Sequence, residues 1–185
     1  KPAGFPVHGG SGQVYGVQEV LAEMRSGVSS IELVHRLDKG TSGCLFLAKN
    51  RVTLRLLQEQ FRLRQVGKEY FALVKGEWSA GERVVDVPLV KKKLPDGSAR
   101  VCVSVEQGKR AVSVFKPIKV MSGMSLMQVR IETGRTHQIR VHAHHLGFPL
   151  AGDEKYGCDM FNLQLSKLGL KRLFLHSYSL SFTHL

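Results

Sequence analysis

Between Lys68 and Glu132 the chain is a succession of short runs of β-branched, aromatic and aliphatic residues, each closed by a turn former. Tyr70-Phe71-Ala72-Leu73-Val74 is the strongest, and further runs fall at 83–90, 99–105, 111–120 and 124–132. Such side chains suit a pleated, half-buried surface, and short runs separated by tight turns pair in antiparallel fashion. Pro95-Asp96-Gly97 supplies one of the turns, because proline presets φ and glycine accepts positive φ. Lys91, Lys92 and Lys93 form a basic cluster just ahead of it. This middle third therefore reads as an antiparallel meander.

Helical periodicity lies outside it. Leu54, Leu57 and Phe61 recur on one flank of a helix expected from Arg51 to Gln65, with Val52, Leu56 and Leu63 on another. Arg51, Arg55 and Arg62 make a basic stripe between the flanks, and Gly67 is expected to break the helix. A shorter amphipathic helix is expected near 16–25 from Val17, Val20, Leu21 and Met24, with Gly27 ending it. Residues 1–12 are rich in Gly and Pro and read as an irregular, extended approach without a phosphate-cradling GxxxxGK[ST] pattern. No repeat or low-complexity linker marks a second domain, so one domain over residues 1–185 is expected.

Charge narrows the partner. Lys and Arg number 27 against 15 Asp and Glu, a formal net charge of +12, which favours a polyanion such as nucleic acid. No apolar run approaches the length of a membrane-spanning helix. Cys44, Cys102 and Cys158 form no CxxC and argue against a disulfide framework, so a reduced, cytoplasmic, soluble protein is expected.

Two dense polar stretches carry the candidate chemistry. Val34-His35-Arg36-Leu37-Asp38-Lys39-Gly40-Thr41-Ser42-Gly43 sits between strand-like runs, which would deliver Asp38 from a rigid element. The plainer reading has Asp38 capping the amides of Thr41 or Ser42. Gly134-Arg135-Thr136-His137-Gln138-Ile139-Arg140-Val141-His142 follows a strand and turns into a short helix, with Thr133 or Thr136 as its N-cap. Its histidines lack metal-ligand spacing: His137 and His142 lie about 140° apart around a helix, and neither HExxH nor a cysteine pair is present. No metal is expected from this spacing.

The segments KPAGFPVHGG, VHRLDKGTSG, GRTHQIRVH and RLFLHSYSL, with LAGDEKYG between the last two, occur in the order found in RluA-type pseudouridine synthases. The resemblance spans essentially the whole chain, and the Leu170–His176 region is most similar to members that modify large-subunit (23S) ribosomal RNA. It implies an α+β fold, a mixed and largely antiparallel sheet flanked by helices. It also implies an N-terminal S4-like RNA-binding domain in the full protein, absent from these residues. The implied activity is isomerisation of specific uridines by a monomer, with no cofactor or metal.

By this resemblance Asp38 is the catalytic carboxylate. It either attacks C1′ or removes the C2′ proton, and both tasks need it ionised. Arg135 is carried over as its ion-pair partner, and Tyr70 as the residue that stacks on the base and removes the C5 proton. Arg36 would fill the RNA stack that the flipped uridine leaves, and Ile139 and Leu175 would line the uracil pocket. Ser177 departs from the pattern, since alanine is commoner there. The rival readings are an inactive basic RNA-binding module acting in ribosome assembly, and a synthase acting on tRNA.

Overall fold

The computed structural model describes residues 1–10, 15–25 and 30–183. The chain divides into two compact units, one built from residues 1–67 and 177–185 and the other from residues 68–176.

The first unit contains α1 (Val17–Met24), β1 (Glu32–Leu33), β2 (Ser42–Gly43), β3 (Leu47–Ala48) and α2 (Arg51–Arg62). Gly27, read as the stop for α1, lies outside the described residues. Strand β1 pairs antiparallel with β3, matching Glu32 with Ala48 and Leu33 with Leu47. Val34, Ala48 and Leu57 form a core cluster with Phe46, Leu54 and Phe61 against it. The Leu54–Leu57–Phe61 flank of α2 is therefore the buried one, while Val52, Leu56 and Leu63 are exposed. In the basic stripe, Arg62 is engaged by Glu59 one turn back.

Helix α2 starts on Asn50, whose side chain accepts the Thr53 N–H at 2.8 Å. It ends at Arg62, earlier than the periodicity implied, and Gly67 is not the breaker. Arg64 takes φ 59°, and the amides of Arg64 and Gln65 return to the carbonyls of Phe61 and Gln60. That pair of bonds is a Schellman stop, which usually places glycine where Arg64 stands. A left-handed non-glycine costs about 1–2 kcal/mol, partly offset because glycine loses about 0.5–1 kcal/mol more entropy on folding. Arg64→Gly is expected to stabilise the protein by up to about 1 kcal/mol, read as a higher urea midpoint at constant slope. An unchanged or lower midpoint would show that the Arg64 side chain compensates its backbone.

The second unit carries the meander. Strands β4 (Gly67–Lys75), β5 (Arg83–Asp86), β8 (Val112–Met121) and β9 (Met124–Ile131) run in the order β4-β9-β8-β5, all antiparallel. The run read as one strand at 83–90 is divided. Pro88 offers no amide hydrogen, and beyond it β6 (Leu89–Lys93) pairs with β7 (Ala99–Val103) as a separate two-stranded ribbon. The ribbon turns through Pro95-Asp96-Gly97, where Gly97 has φ 78°. Pro117 lies at a register shift in β8, the kind of irregularity that lets proline sit within a strand.

Helix α3 (Gln138–His145) follows β9. Its N-cap is His137, at φ 54°, rather than either threonine. The hydroxyl of Thr133 is committed elsewhere, donating to Gln138 Oε1 at 2.7 Å and accepting the Val112 N–H at 2.9 Å. A second helix, α4 (Asp159–Lys167), buries Phe161 and Leu165 against Leu73 and Ala151. The last strand, β10 (Leu175–Ser181), begins inside the RLFLHSYSL segment and continues into polar sequence.

Candidate active site

The aspartate turn belongs to the first unit, and alternation along it explains each residue. Val34 and Leu37 are buried, Arg36 and Lys39 are exposed, and His35 and Asp38 are half-buried. His35 anchors the turn: its Nε2 accepts the Phe46 N–H at 3.0 Å and its ring stacks on Phe61 at 4.8 Å. Acceptance at Nε2 fixes the proton on Nδ1 while the ring is neutral. The turn closes through the backbone, Thr41 N–H to Asp38 C=O at 3.0 Å.

The KPAGF segment laces this turn in place. Lys1 Nζ donates to the carbonyls of Pro2, Phe5 and Lys39 at 2.9, 2.6 and 2.9 Å. Gly4 N–H also reaches Lys39 C=O, and Gly43 N–H reaches Lys1 C=O, both at 2.9 Å. Burial pushes the Lys1 ammonium down to about 8, while the Asp38 carboxylate pulls it the other way. A cation tied by three carbonyls thus lies within the field of Asp38. Gly43 is required at its place: φ is 114°, and a Cβ there would lie 2.1 Å from the Ser177 carbonyl oxygen.

That close approach leaves Ser177 fully buried, and its hydroxyl has no hydrogen-bond partner among the described residues. An unsatisfied buried hydroxyl costs about 1–3 kcal/mol. Ser177→Ala is expected to raise stability by about 1–2 kcal/mol, seen as a melting temperature several degrees higher. A lower melting temperature would mean that the hydroxyl has a partner in solution.

Tyr70, Arg135, Ile139 and Leu175 belong to the second unit. Tyr70 lies on β4 opposite Val129 and is 7% exposed. Ile139 and Leu175 are buried, on α3 and β10. Arg135 is exposed, and its guanidinium Nε donates to Arg110 C=O at 3.1 Å.

A buried polar chain holds the Arg135 loop. Gln138 Oε1 accepts the Arg135 N–H at 3.0 Å as well as the Thr133 hydroxyl. Gln138 Nε2 donates to Val112 C=O at 2.8 Å and to Ser113 Oγ at 2.9 Å. Ser113 lies 3.0 Å from His142 Nδ1, and His142 Nε2 lies 2.9 Å from Val87 C=O. The carbonyl can only accept, so neutral His142 carries its proton on Nε2 and accepts a hydrogen bond from the Ser113 hydroxyl at Nδ1. Burial lowers the His142 pKa and keeps the ring neutral. Both ring nitrogens are used in this way, and no group of three His, Cys, Asp or Glu among the described residues has metal-site geometry.

Arg140 and Asp153 lie outside the candidates that the sequence motifs single out. Arg140 Nε and Nη2 grip the Asp153 carboxylate at 2.7 and 2.8 Å, and that carboxylate is completely buried. The Arg140 guanidinium also sits 5.1 Å from the Tyr156 ring centroid. Tyr156 OH meets His137 Nδ1 at 2.9 Å and accepts the Val101 N–H at 3.0 Å. The LAGDEKYG motif thereby supports the entry to α3. An arginine and an aspartate thirteen residues apart give no periodic signal for this pairing.

The sequence pattern of the RNA pseudouridylate synthase family matches residues 1–145. The chain belongs to that family. It is 48% identical over 184 residues to the ribosomal large subunit pseudouridine synthase C of Pasteurella multocida, covering 100% of this chain and 56% of that protein. It is 46% identical over 186 residues to the protein of the same name from Escherichia coli, again covering 100% of this chain and 58% of that protein. The chain thus spans little more than half the length of these relatives. Among solved structures, human RNA pseudouridylate synthase domain containing 4 superposes with a TM-score of 0.78 at 31% identity, covering 98% of this chain and 78% of that one. Human RNA pseudouridylate synthase domain containing 1 gives 0.72 at 26% identity, over 87% and 67%. The expected α+β architecture, with a mostly antiparallel sheet and flanking helices, is the one found.

Proposed function

We infer that this chain is the catalytic portion of an RNA pseudouridine synthase that isomerises uridines in large-subunit ribosomal RNA. The observation that carries the reading is the Asp38 turn. A half-buried carboxylate is set on a backbone-closed, Lys1-laced support in a chain that belongs to this family. The reaction breaks N1–C1′, turns the uracil, joins C5 to C1′ and releases the C5 proton, so it needs a fixed carboxylate rather than a redox group. Asp38 supplies that carboxylate, as nucleophile at C1′ or base at C2′.

Tyr70 is assigned to the base and the C5 proton, and Arg135 to the charge of Asp38. Arg36 is assigned to the vacated RNA stack, and Ile139 and Leu175 to the walls against uracil. The +12 net charge suits the phosphate backbone, and we place the protein in the cytoplasm as a monomer. Support for a ribosomal target comes from the relatives named for the large ribosomal subunit. The test is to incubate the protein with unmodified large-subunit RNA and resolve its nucleosides by chromatography. A pseudouridine peak is the expected result. Its absence on every RNA supplied, with the full-length protein as well, would end the enzyme reading.

A further inference from the structure

The second unit holds a cleft of about 440 Å³ where the β6–β7 ribbon meets the 104–109 and 134–136 loops. Its walls include Leu89, Val101, Lys91, Lys109, Gln107 and Thr136, and no acidic residue lines it. The ribbon register explains this composition. Lys91 pairs directly with Val101, so both side chains share one ribbon face, and Leu89 two residues earlier lies on it too. Lys109 is brought alongside by the bridge to Leu89, with N–H···O bonds of 3.0 and 2.8 Å in the two directions. Ser104 holds the intervening loop tight: its carbonyl accepts the Gly108 N–H at 3.0 Å, and a Cβ on Gly108 would lie 2.2 Å from that oxygen. Leu89 and Val101 also belong to a core cluster with Ala111, Val141 and Tyr156, so the cleft floor is rigid.

An apolar floor, two lysines on separate segments, an amide and a hydroxyl match the parts of a nucleotide. A base face can rest on the aliphatic floor while the ammonium groups meet its phosphate. The volume falls in the range of ligand pockets, about 300–1,000 Å³. A second hollow of about 170 Å³ is lined by Glu69, Glu82, Lys116 and Arg130, and its smaller size and mixed charge suit no nucleotide. Arg135, at the edge of the larger cleft, is the residue assigned to the charge of Asp38. From this we propose that the cleft is a second nucleotide subsite, holding one unpaired nucleotide of the RNA other than the target uridine, with Lys91 and Lys109 on its phosphate. The proposal rests on RNA being the substrate.

The test compares Lys91→Gln/Lys109→Gln with Lys92→Gln/Lys119→Gln. The control removes the same charge; Lys92 lies on the opposite ribbon face and Lys119 on β8. All four lysines are exposed, so both variants should melt like the parent protein. The cleft variant is expected to raise KM for RNA about tenfold at unchanged kcat and to flatten the salt slope of RNA binding by about 1.4, while the control raises KM far less. Equal effects of the two variants, or none in the cleft variant, would overturn the subsite.

A second readout does not depend on turnover. Adenosine 5′-monophosphate is expected to shift the methyl resonances of Leu89, Val101 and Thr136 in the parent protein and not in the cleft variant. Inorganic phosphate alone should leave the Leu89 and Val101 methyls in place. Identical perturbation by both probes would mean an anion site without base recognition and would also overturn the proposal. If the protein forms no pseudouridine, the binding slope and methyl shifts still decide the subsite, so the two failures are distinguishable.

Discussion

Asp38→Asn is expected to abolish pseudouridine formation, by about 10⁴-fold or more in kcat, with little change in melting temperature or RNA affinity. The substitution keeps the side-chain shape and removes only its charge and basicity. The turn should survive, because its closing bond joins main-chain atoms of Thr41 and Asp38, and Lys1 ties the carbonyl of Lys39 rather than a carboxylate. RNA affinity should hold or improve, since an anion facing a polyphosphate is repulsive. Removing that charge also withdraws the one interaction that raises the Lys1 pKa, so this ammonium should titrate below about 8 in the variant. Single-turnover assays with nucleoside chromatography give the rate, and filter binding gives the affinity. Retention of more than a few per cent of activity would remove Asp38 from the chemistry. Loss of binding in step with activity would make it an RNA-positioning residue instead.

Arg140→Met is expected to be strongly destabilising. It strands the fully buried Asp153 carboxylate, and breaking a buried pair from one side costs about 3–5 kcal/mol. For a chain of this size that is roughly 10 °C or more in melting temperature. The pH dependence carries the sign. In the parent protein, burial raises the Asp153 pKa, but the Arg140 hydrogen bonds and charge outweigh it, and the net direction is downward. Its contribution to stability is therefore present above the ordinary carboxylate pKa and is lost as pH falls through the lower, folded-state value. Without Arg140 the burial effect prevails and the folded-state pKa rises above the unfolded one. The variant then gains relative stability on acidification, and its deficit should shrink between pH 7 and pH ~5. A deficit constant over that window would show that lost packing on Tyr156, not the stranded charge, is responsible. Arg135→Ala offers the contrast: an exposed arginine bonded to one carbonyl should cost activity without a comparable loss of stability.

Features set by local pattern are legible in the sequence. The Tyr70–Val74 run, the Pro95–Gly97 turn and the apolar flank of α2 appear as read, because each depends on residues a few positions apart. Boundaries decided by particular backbone atoms are not. The Arg64 stop on α2 places a left-handed residue where the side chain gives no hint of one. The Pro88 break is visible as a residue, but the change of pairing partner beyond it is not. Helix α4 buries Phe161 and Leu165 but exposes Met160 and Leu163, so its apolar residues mark no single face in the sequence. For the candidate site, motifs single out Asp38 and Arg135, whereas Gln138, His142, Arg140 and Asp153 surface only through contacts. Their importance is as hydrogen-bond partners, and pairings such as Arg140 with Asp153, 13 residues on, or His142 with Ser113, 29 residues back, leave no periodic trace.

The first unit is discontinuous in the chain, and this bears on how the protein emerges during synthesis. Residues 68–176 form one uninterrupted unit that can close as soon as it leaves the ribosome. Residues 1–67, made first, must wait for their remaining partners. Cys44 N–H needs the Ser177 carbonyl, Phe46 needs the ring of Phe182, and Gln60 needs both backbone groups of Thr183. The Asp38 turn is thus translated early and buttressed last. Chains stalled before Ser177 would expose the Val34–Leu57–Phe61 cluster to chaperones while the meander is already folded.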